Sequence, residues 1–257
     1  GVKVDTSVTG GRSQFSTASD TIAVNVVDLT APTATMTAGA FTDAGSATVQ
    51  SSEVGTAYLV NSTDTVTSVA SILALADGRF NTTTISAANT NTSLPLTGLE
   101  SGTYRLFTVD GAGNLSAAAS NTVNVGPAPV FTSGSTASVA ENTATSTVVY
   151  DANATLSGGA SDVGVSYSLS GTDAARFNIN SSTGQVTFAS SPNFEAPADS
   201  GGNNVYDFTV TAASSLGVTA QRAVSMTVAD VVESLAGQSF ISSVSYTHLR
   251  AHETLMN

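Results

Sequence analysis

Short runs of alternating side chains, rich in Val, Thr, Tyr and Phe and cut off by Gly, Asn, Asp, Ser and Pro, recur along this chain and limit what it can fold into. Thr21-Ile22-Ala23-Val24-Asn25-Val26, Ala57-Tyr58-Leu59-Val60, Tyr104-Arg105-Leu106-Phe107-Thr108-Val109 and Tyr206-Asp207-Phe208-Thr209-Val210-Thr211 are examples. A two-residue period places alternate side chains on one face, as a half-buried antiparallel strand needs. Runs of this kind, broken by turns roughly every ten residues, predict β-sandwiches rather than helices alternating with parallel strands. Only 64–76 (DTVTSVASILALA) departs from the pattern. There Val66, Val69, Ile72 and Leu73 recur at three- and four-residue spacing, which predicts a short amphipathic helix or helical turn. The expected fold class is therefore all-β, as tandem β-sandwiches with one short helix near 64–76.

Composition removes several functions. Lys and Arg total 7 against 19 Asp and Glu, a net charge of −12, and Lys3 is the single lysine. A nucleic-acid binder needs clustered cations to neutralise phosphates, so no nucleic-acid partner is expected. The hydrophobic fraction of 41% is too high for an acidic disordered tail. No apolar run approaches the ~18 residues of a spanning helix, so no membrane insertion is expected. Cys is absent, which excludes disulfide scaffolds, thiolate zinc sites and cysteine nucleophiles. The 37 Ser and 38 Thr fit the outward faces of strands that stay wet without carrying charge.

No constellation for catalysis emerges. There is no Gly-x-Ser-x-Gly elbow, and both histidines, His248 and His252, lie in the last ten residues, so a Ser/His/Asp hydrolase has no base in the body of the chain. His248 and His252 are four apart but lack the His-Glu-x-x-His order of a zinc protease. Asp5-Thr6-Ser7 is not the Asp-Thr-Gly of an aspartic protease. Asp110-Gly111-Ala112-Gly113 neither opens a helix nor precedes a lysine, and reads as a hairpin turn rather than a phosphate loop. Spacing alone leaves paired carboxylates for glycoside hydrolysis open, but a chain with no Trp and 6% aromatics has little to stack sugars on. The expectation is a non-enzyme.

An internal echo sets the expected organisation. GGRSQFSTASDTIAVNVVDLTAP (10–32) and GAGNLSAAASNTVNVGPAP (111–129) both run from a Gly-rich turn through Ser/Ala-rich sequence into an x-Val-Asn-Val strand and an Ala-Pro. Residues 1–28 are accordingly expected to be the C-terminal end of a preceding sandwich repeat, and Gly1 an internal cut. One domain is expected at 29–126, a second at 127–235, and a linker and tail at 236–257. About a hundred residues can bury a core without staples.

With those pieces in place, two resemblances carry weight. Thr30-Ala31-Pro32, Ser51-Ser52-Glu53-Val54-Gly55-Thr56, Gly98-Leu99-Glu100-Ser101-Gly102-Thr103-Tyr104 and Val109-Asp110-Gly111-Ala112-Gly113-Asn114 together resemble a bacterial Ig-like repeat of large surface adhesins, with Tyr104 anchoring a core strand. Pro129-Val130-Phe131, Ala140-Glu141-Asn142, Tyr150-Asp151-Ala152-Asn153, Asp173-Ala174-Ala175-Arg176-Phe177, Thr183-Gly184-Gln185-Val186, Asn193-Phe194-Glu195 and Val228-Ala229-Asp230-Val231 resemble a bacterial cadherin-like domain over nearly its whole length. Ser245 to Thr254 resembles translated sequencing-adaptor read-through from metagenomic assemblies and is set aside from the fold reading.

The cadherin-like resemblance implies calcium at a junction between modules, where carboxylates from separate segments converge on a hard cation that wants six to eight oxygens. Glu141, Glu195, Asp230 and Glu233 match the family's acidic positions at the C-terminal pole, while Asn193 and Val232 depart from an Asp and an Asn. At the N-terminal pole Asp151 and Asn153 match, but Ser214 stands where an Asp is expected and 125–128 carries no acid, so no ion is expected there. Asp173 is expected only to solvate a loop and cap a turn. The implied function is an extracellular or cell-surface spacer in a bacterial adhesin, stiffened by calcium. Its partners would be the neighbouring domains of the same chain, and surface glycans or other cells. The alternatives are an accessory, non-catalytic region of a secreted polysaccharide-active enzyme, acting as spacer or carbohydrate binder.

Overall fold

The computed structural model describes residues 27–157 and 164–232. The expected end of a preceding repeat, Glu233 and the histidine-bearing tail lie outside the described residues, Val27 and Asp28 excepted.

Two β-sandwiches follow one another. In the first, β1 (Ala34–Met36), β3 (Ser46–Ser51) and β6 (Thr92–Pro95) form one sheet. The facing sheet has the order β2 (Gly39–Phe41), β8 (Thr122–Val125), β7 (Gly102–Asp110), β4 (Gly55–Asn61) and β5 (Phe80–Ile85). All pairs are antiparallel except β2 with β8. The alternation in the sequence becomes the two inner faces. Ala47, Val49 and Leu94 from one sheet meet Ala57, Leu59, Leu106 and Val123 from the other, all buried in one core.

Tyr104 enters that core at the start of β7, fully buried, and its hydroxyl donates to the Glu100 carbonyl at 2.8 Å with the Gly78 carbonyl at 3.0 Å. The arrangement is a tyrosine corner, a buried aromatic whose polar tip ties down the loop that precedes its strand.

The expected short helix is present within 64–76. Only Val69–Leu73 (α1) is helical, started by a capping box between Ser68 and Ser71. Upstream, Asp64 is held by Arg79 at 3.0 Å and Thr63 by the same guanidinium, which draws 63–64 toward the residue just before β5 instead of into a helical turn. Of the expected stripe, Ile72 is buried and Leu73 is 59% exposed.

The second sandwich pairs β10 (Thr136–Ala140), β17 (Thr219–Ala229), β16 (Val205–Ala213) and β13 (Ser166–Ser170) in that order, with β10 parallel to β17. Facing them, β11 (Tyr150–Asp151) and β12 (Ala154–Leu156) are the halves of a strand broken at Ala152-Asn153. β12 pairs with β9 (Pro129–Phe131), and β11 with β15 (Gln185–Phe188), which pairs in turn with β14 (Phe177–Ile179). Gly184, at φ +75°, lets the turn before β15 press on the break. Any side chain there would collide with the Ala152 carbonyl. The core is aromatic. Phe177 lies 4.6 Å from both Phe188 and Phe208 and meets Tyr206 edge-on at 5.8 Å.

Asp173 does more than the sequence suggests. It is buried, and its two carboxylate oxygens accept the backbone N–H of Ser200 at 2.7 Å and of Asp207 at 2.8 Å. The carboxylate thus ties two loop segments to β16. A surface reading fails because this pairing joins residues 27 and 34 positions apart.

Candidate metal centre

The parallel pair β10–β17 creates the pole of interest. Ala140 sits opposite Ala229 in register, so both strands end together and the next residues out, Glu141 and Asp230, emerge side by side. The Glu141 N–H donates to the Ala229 carbonyl at 3.0 Å, carrying the ladder one residue further. Asn142 then adopts a positive φ of 58° and turns the chain away, its N–H donating to the Pro192 carbonyl at 2.8 Å. That contact brings the 192–199 loop, and with it Glu195, onto the pole.

Glu141 is 3% exposed. Its Oε2 accepts the Phe194 N–H at 2.9 Å and its Oε1 the Val231 N–H at 3.0 Å. Carboxylate oxygens of Glu141, Glu195 and Asp230 lie within 4.8 Å of one another. Two supports shape the loop. Asn193 uses its Oδ1 to accept the Ala196 N–H at 2.9 Å, and the Asn204 side chain donates to the Phe194 carbonyl at 2.9 Å. Among the described residues the salt bridges both belong to Arg79, in the other sandwich, and no cation faces this trio.

The carboxylates are therefore unequal. The N–H groups of Phe194 and Val231 hold the Glu141 carboxyl below its ordinary range, overcoming its desolvation. For Glu195, its own backbone N–H pulls down, but desolvation, the charge of Glu141 and then that of Asp230 prevail and push the carboxyl up. Here is an anchored anion beside one that resists ionising. Three carboxylates at this spacing offer oxygen donors of the type that hard divalent cations take.

Of the four predicted site residues, the fold brings Glu141, Glu195 and Asp230 together, and Glu233 lies outside the described residues. At the opposite end of this sandwich Asp151 is exposed, and among the described residues it has no two acidic neighbours close enough to form such a group.

A second trio was not anticipated. Carboxylates of Asp28, Glu53 and Asp110 also lie within 4.8 Å, at the N-terminal pole of the first sandwich. Burial alone would push the Asp110 carboxyl up, yet hydrogen bonds donated by the Asn114 side chain (2.7 Å) and the Asn114 and Ala112 backbones (both 2.8 Å) hold it down. Asp110-Gly-Ala-Gly-Asn is the turn its sequence predicts. Nothing in the local pattern says that the register Gly55–Asp110 delivers Glu53 to the same spot.

Fold and pole together define a tandem β-sandwich segment with acidic ends. No family model matches the chain, and no curated protein does. Among solved structures the chain is similar to Drosophila N-cadherin EC1-3 (18% identity, TM-score 0.36, covering 77% of this chain and 68% of that one). It is also similar to the extracellular cadherin domains 1-4 of protocadherin gamma B7 (16%, 0.36, 76% and 49%). Mouse Cadherin-23 EC22-24 overlaps it at 18% identity and a TM-score of 0.35, over 78% of this chain and 65% of that one.

Proposed function

We propose that this chain is a non-catalytic spacer segment of a large modular bacterial surface protein, an adhesin, and that the Glu141/Glu195/Asp230 pole binds calcium where it meets a following module. The observation that carries the reading is the convergence itself. A buried carboxylate spends an oxygen on each of two backbone N–H groups and still has two further carboxylates within 4.8 Å, with no basic side chain among the described residues to neutralise them. A divalent cation would relieve that repulsion and lock the 192–199 loop, β10 and the strand-leaving segment 230–231 to one centre. The sequence resemblance assigns Glu233, which lies outside the described residues, to the same donor set. The sequence resemblance of both sandwiches to repeats of bacterial surface proteins supports the extracellular, adhesive setting, with neighbouring domains and cell-surface glycans or other cells as partners.

Thermal unfolding of the whole chain with calcium and with chelator tests this. A ligand at a hundredfold its Kd stabilises by about 2.7 kcal/mol, which moves the melting of a hundred-residue domain by about 10–20 °C. Glu141→Ala should abolish the shift. Superimposable curves with calcium and chelator would overturn the reading.

A further inference from the structure

The joint between the two sandwiches differs from both acidic poles, and we infer that it is locked without a metal, by a leucine plug and a linker pinned at both ends. β8 ends at Val125 and β9 begins at Pro129, leaving three residues between the strands. Gly126 belongs to the first sandwich, because its N–H donates to the Phe41 carbonyl at 3.0 Å. Ala128 belongs to the second, because its carbonyl accepts the Ser157 N–H at 3.0 Å. Between them stands only Pro127, whose ring fixes φ. Such a linker has almost no slack.

Across this joint reaches the hairpin between β16 and β17. Ser214 closes it three ways. Its N–H donates to the Val218 carbonyl at 2.9 Å, its carbonyl accepts the Gly217 N–H at 2.9 Å, and its buried hydroxyl accepts the Val218 N–H at 3.2 Å. The tip, Leu216, lies directly on Gly126. A Cβ built on that glycine would sit 2.7 Å from Leu216 Cδ1 and 3.4 Å from its Cβ. Gly126 does not adopt a left-handed φ, so what a side chain here would meet first is the end of Leu216, which it would have to push aside. A polar latch accompanies the plug. Asn124 Nδ2 donates to the Leu216 carbonyl at 3.0 Å, and its Oδ1 accepts the Thr103 hydroxyl at 2.9 Å, which fixes the amide's orientation.

Asp43 lines the cavity beside Gly126 and Pro127, but among the described residues no group of three carboxylates converges at this joint. Residue 214, where the resemblance calls for a carboxylate, is a serine committed to the hairpin, 125–128 has no acid, and Asp151 is in neither three-carboxylate group. An apolar plug loses nothing to a chelator. The contact is small, and small interdomain contacts ordinarily allow motion. Here the pinned linker makes docking intramolecular at high effective concentration, so a modest contact suffices. The inference does not depend on calcium at the Glu141 pole.

The test uses the whole chain, whose lack of cysteine allows clean labelling at Thr82→Cys and Asn178→Cys, one exposed site on each sandwich. Spin-label distance distributions are recorded with calcium and with chelator, in the parent and in Leu216→Ser and Gly126→Val. The expected result is a narrow distribution in the parent that is identical under both conditions, and a broad one in either variant. Circular dichroism reports that the variants keep their sheets. A parent distribution that broadens in chelator overturns the inference whatever the variants do. So does Leu216→Ser with an unchanged width. Neither result bears on Glu141, whose metal is read from the melting shift.

Discussion

The Glu141 carboxylate accepts the backbone N–H of Val231 at 3.0 Å, tying the residue that leaves β10 to the chain that leaves β17 across a single pole. The same carboxylate accepts the Phe194 N–H, so three separate segments meet at one anion before any ion is considered. That division of labour, an anchored Glu141 beside a reluctant Glu195, makes the behaviour of the pole sharply dependent on which acid is changed.

Glu195→Gln should act in opposite directions with and without calcium. In chelator the substitution removes a negative charge that Glu141 and Asp230 oppose, so the second sandwich should melt higher than the parent. In calcium it removes a donor, so the calcium-induced gain should shrink. Melting in the two buffers checks both signs. A variant that melts lower in chelator would show that Glu195 is held by contacts rather than opposed by charge.

Acid should weaken calcium binding earlier than an ordinary carboxylate would. The Glu195 carboxyl titrates above its unfolded value, so its contribution to stability is present below the unfolded pKa and is lost as pH rises through the folded one. Glu141 runs the other way. Its contribution is present above the unfolded pKa and is lost as pH falls through its depressed folded value. As pH falls, a proton competes with the cation at Glu195 before it does at Glu141, so titration calorimetry over a pH series should show affinity falling while Glu141 is still ionised. Affinity that holds until Glu141 protonates would count against Glu195 as a donor.

Tyr104→Phe should destabilise the first sandwich and leave the second untouched. The hydroxyl meets the Glu100 and Gly78 carbonyls, and removing it loses that hydrogen bond at a cost of about 1 kcal/mol, the Gly78 carbonyl keeping the Glu100 N–H. The two cores share no residue, so the effect should stay within one melting transition. Differential scanning calorimetry resolves this, and a loss in both transitions would mean that the sandwiches unfold as one unit.

Much of this architecture was legible because it is local. Alternation marked the inner faces, and Gly-Thr-Tyr marked the start of a core strand with Tyr104 as its anchor. Two-residue periodicity survives in the burial of β3, where Ala47, Val49 and Ser51 point inward. What escaped depends on register between distant segments. The Asp28/Glu53/Asp110 trio needs β4 laid against β7, and Leu216 meets Gly126 only once two sandwiches share a joint. The short helix was legible in the spacing of Val69, Ile72 and Leu73, whereas the tie from Arg79 to Asp64 and Thr63 is a contact between separate segments that spacing does not report.

Asp173→Asn tests the carboxylate whose place in the fold the sequence did not reveal. An amide keeps one acceptor oxygen, but it sets an NH₂ against one of the two backbone N–H groups, of Ser200 or of Asp207, that the carboxylate now accepts. A donor facing a donor in a buried site leaves both unpaired, at a cost of about 1–3 kcal/mol for each group left without a partner. Asp173 also donates its own N–H to the Asp207 carbonyl at 3.0 Å, so the substitution loosens the end of a backbone pairing rather than an isolated contact. The second sandwich should unfold at lower urea with an unchanged slope, and hydrogen exchange at the Ser200 and Asp207 amides should accelerate more than at β17. Wild-type protection at those two amides would return Asp173 to the surface role that its loop position suggests.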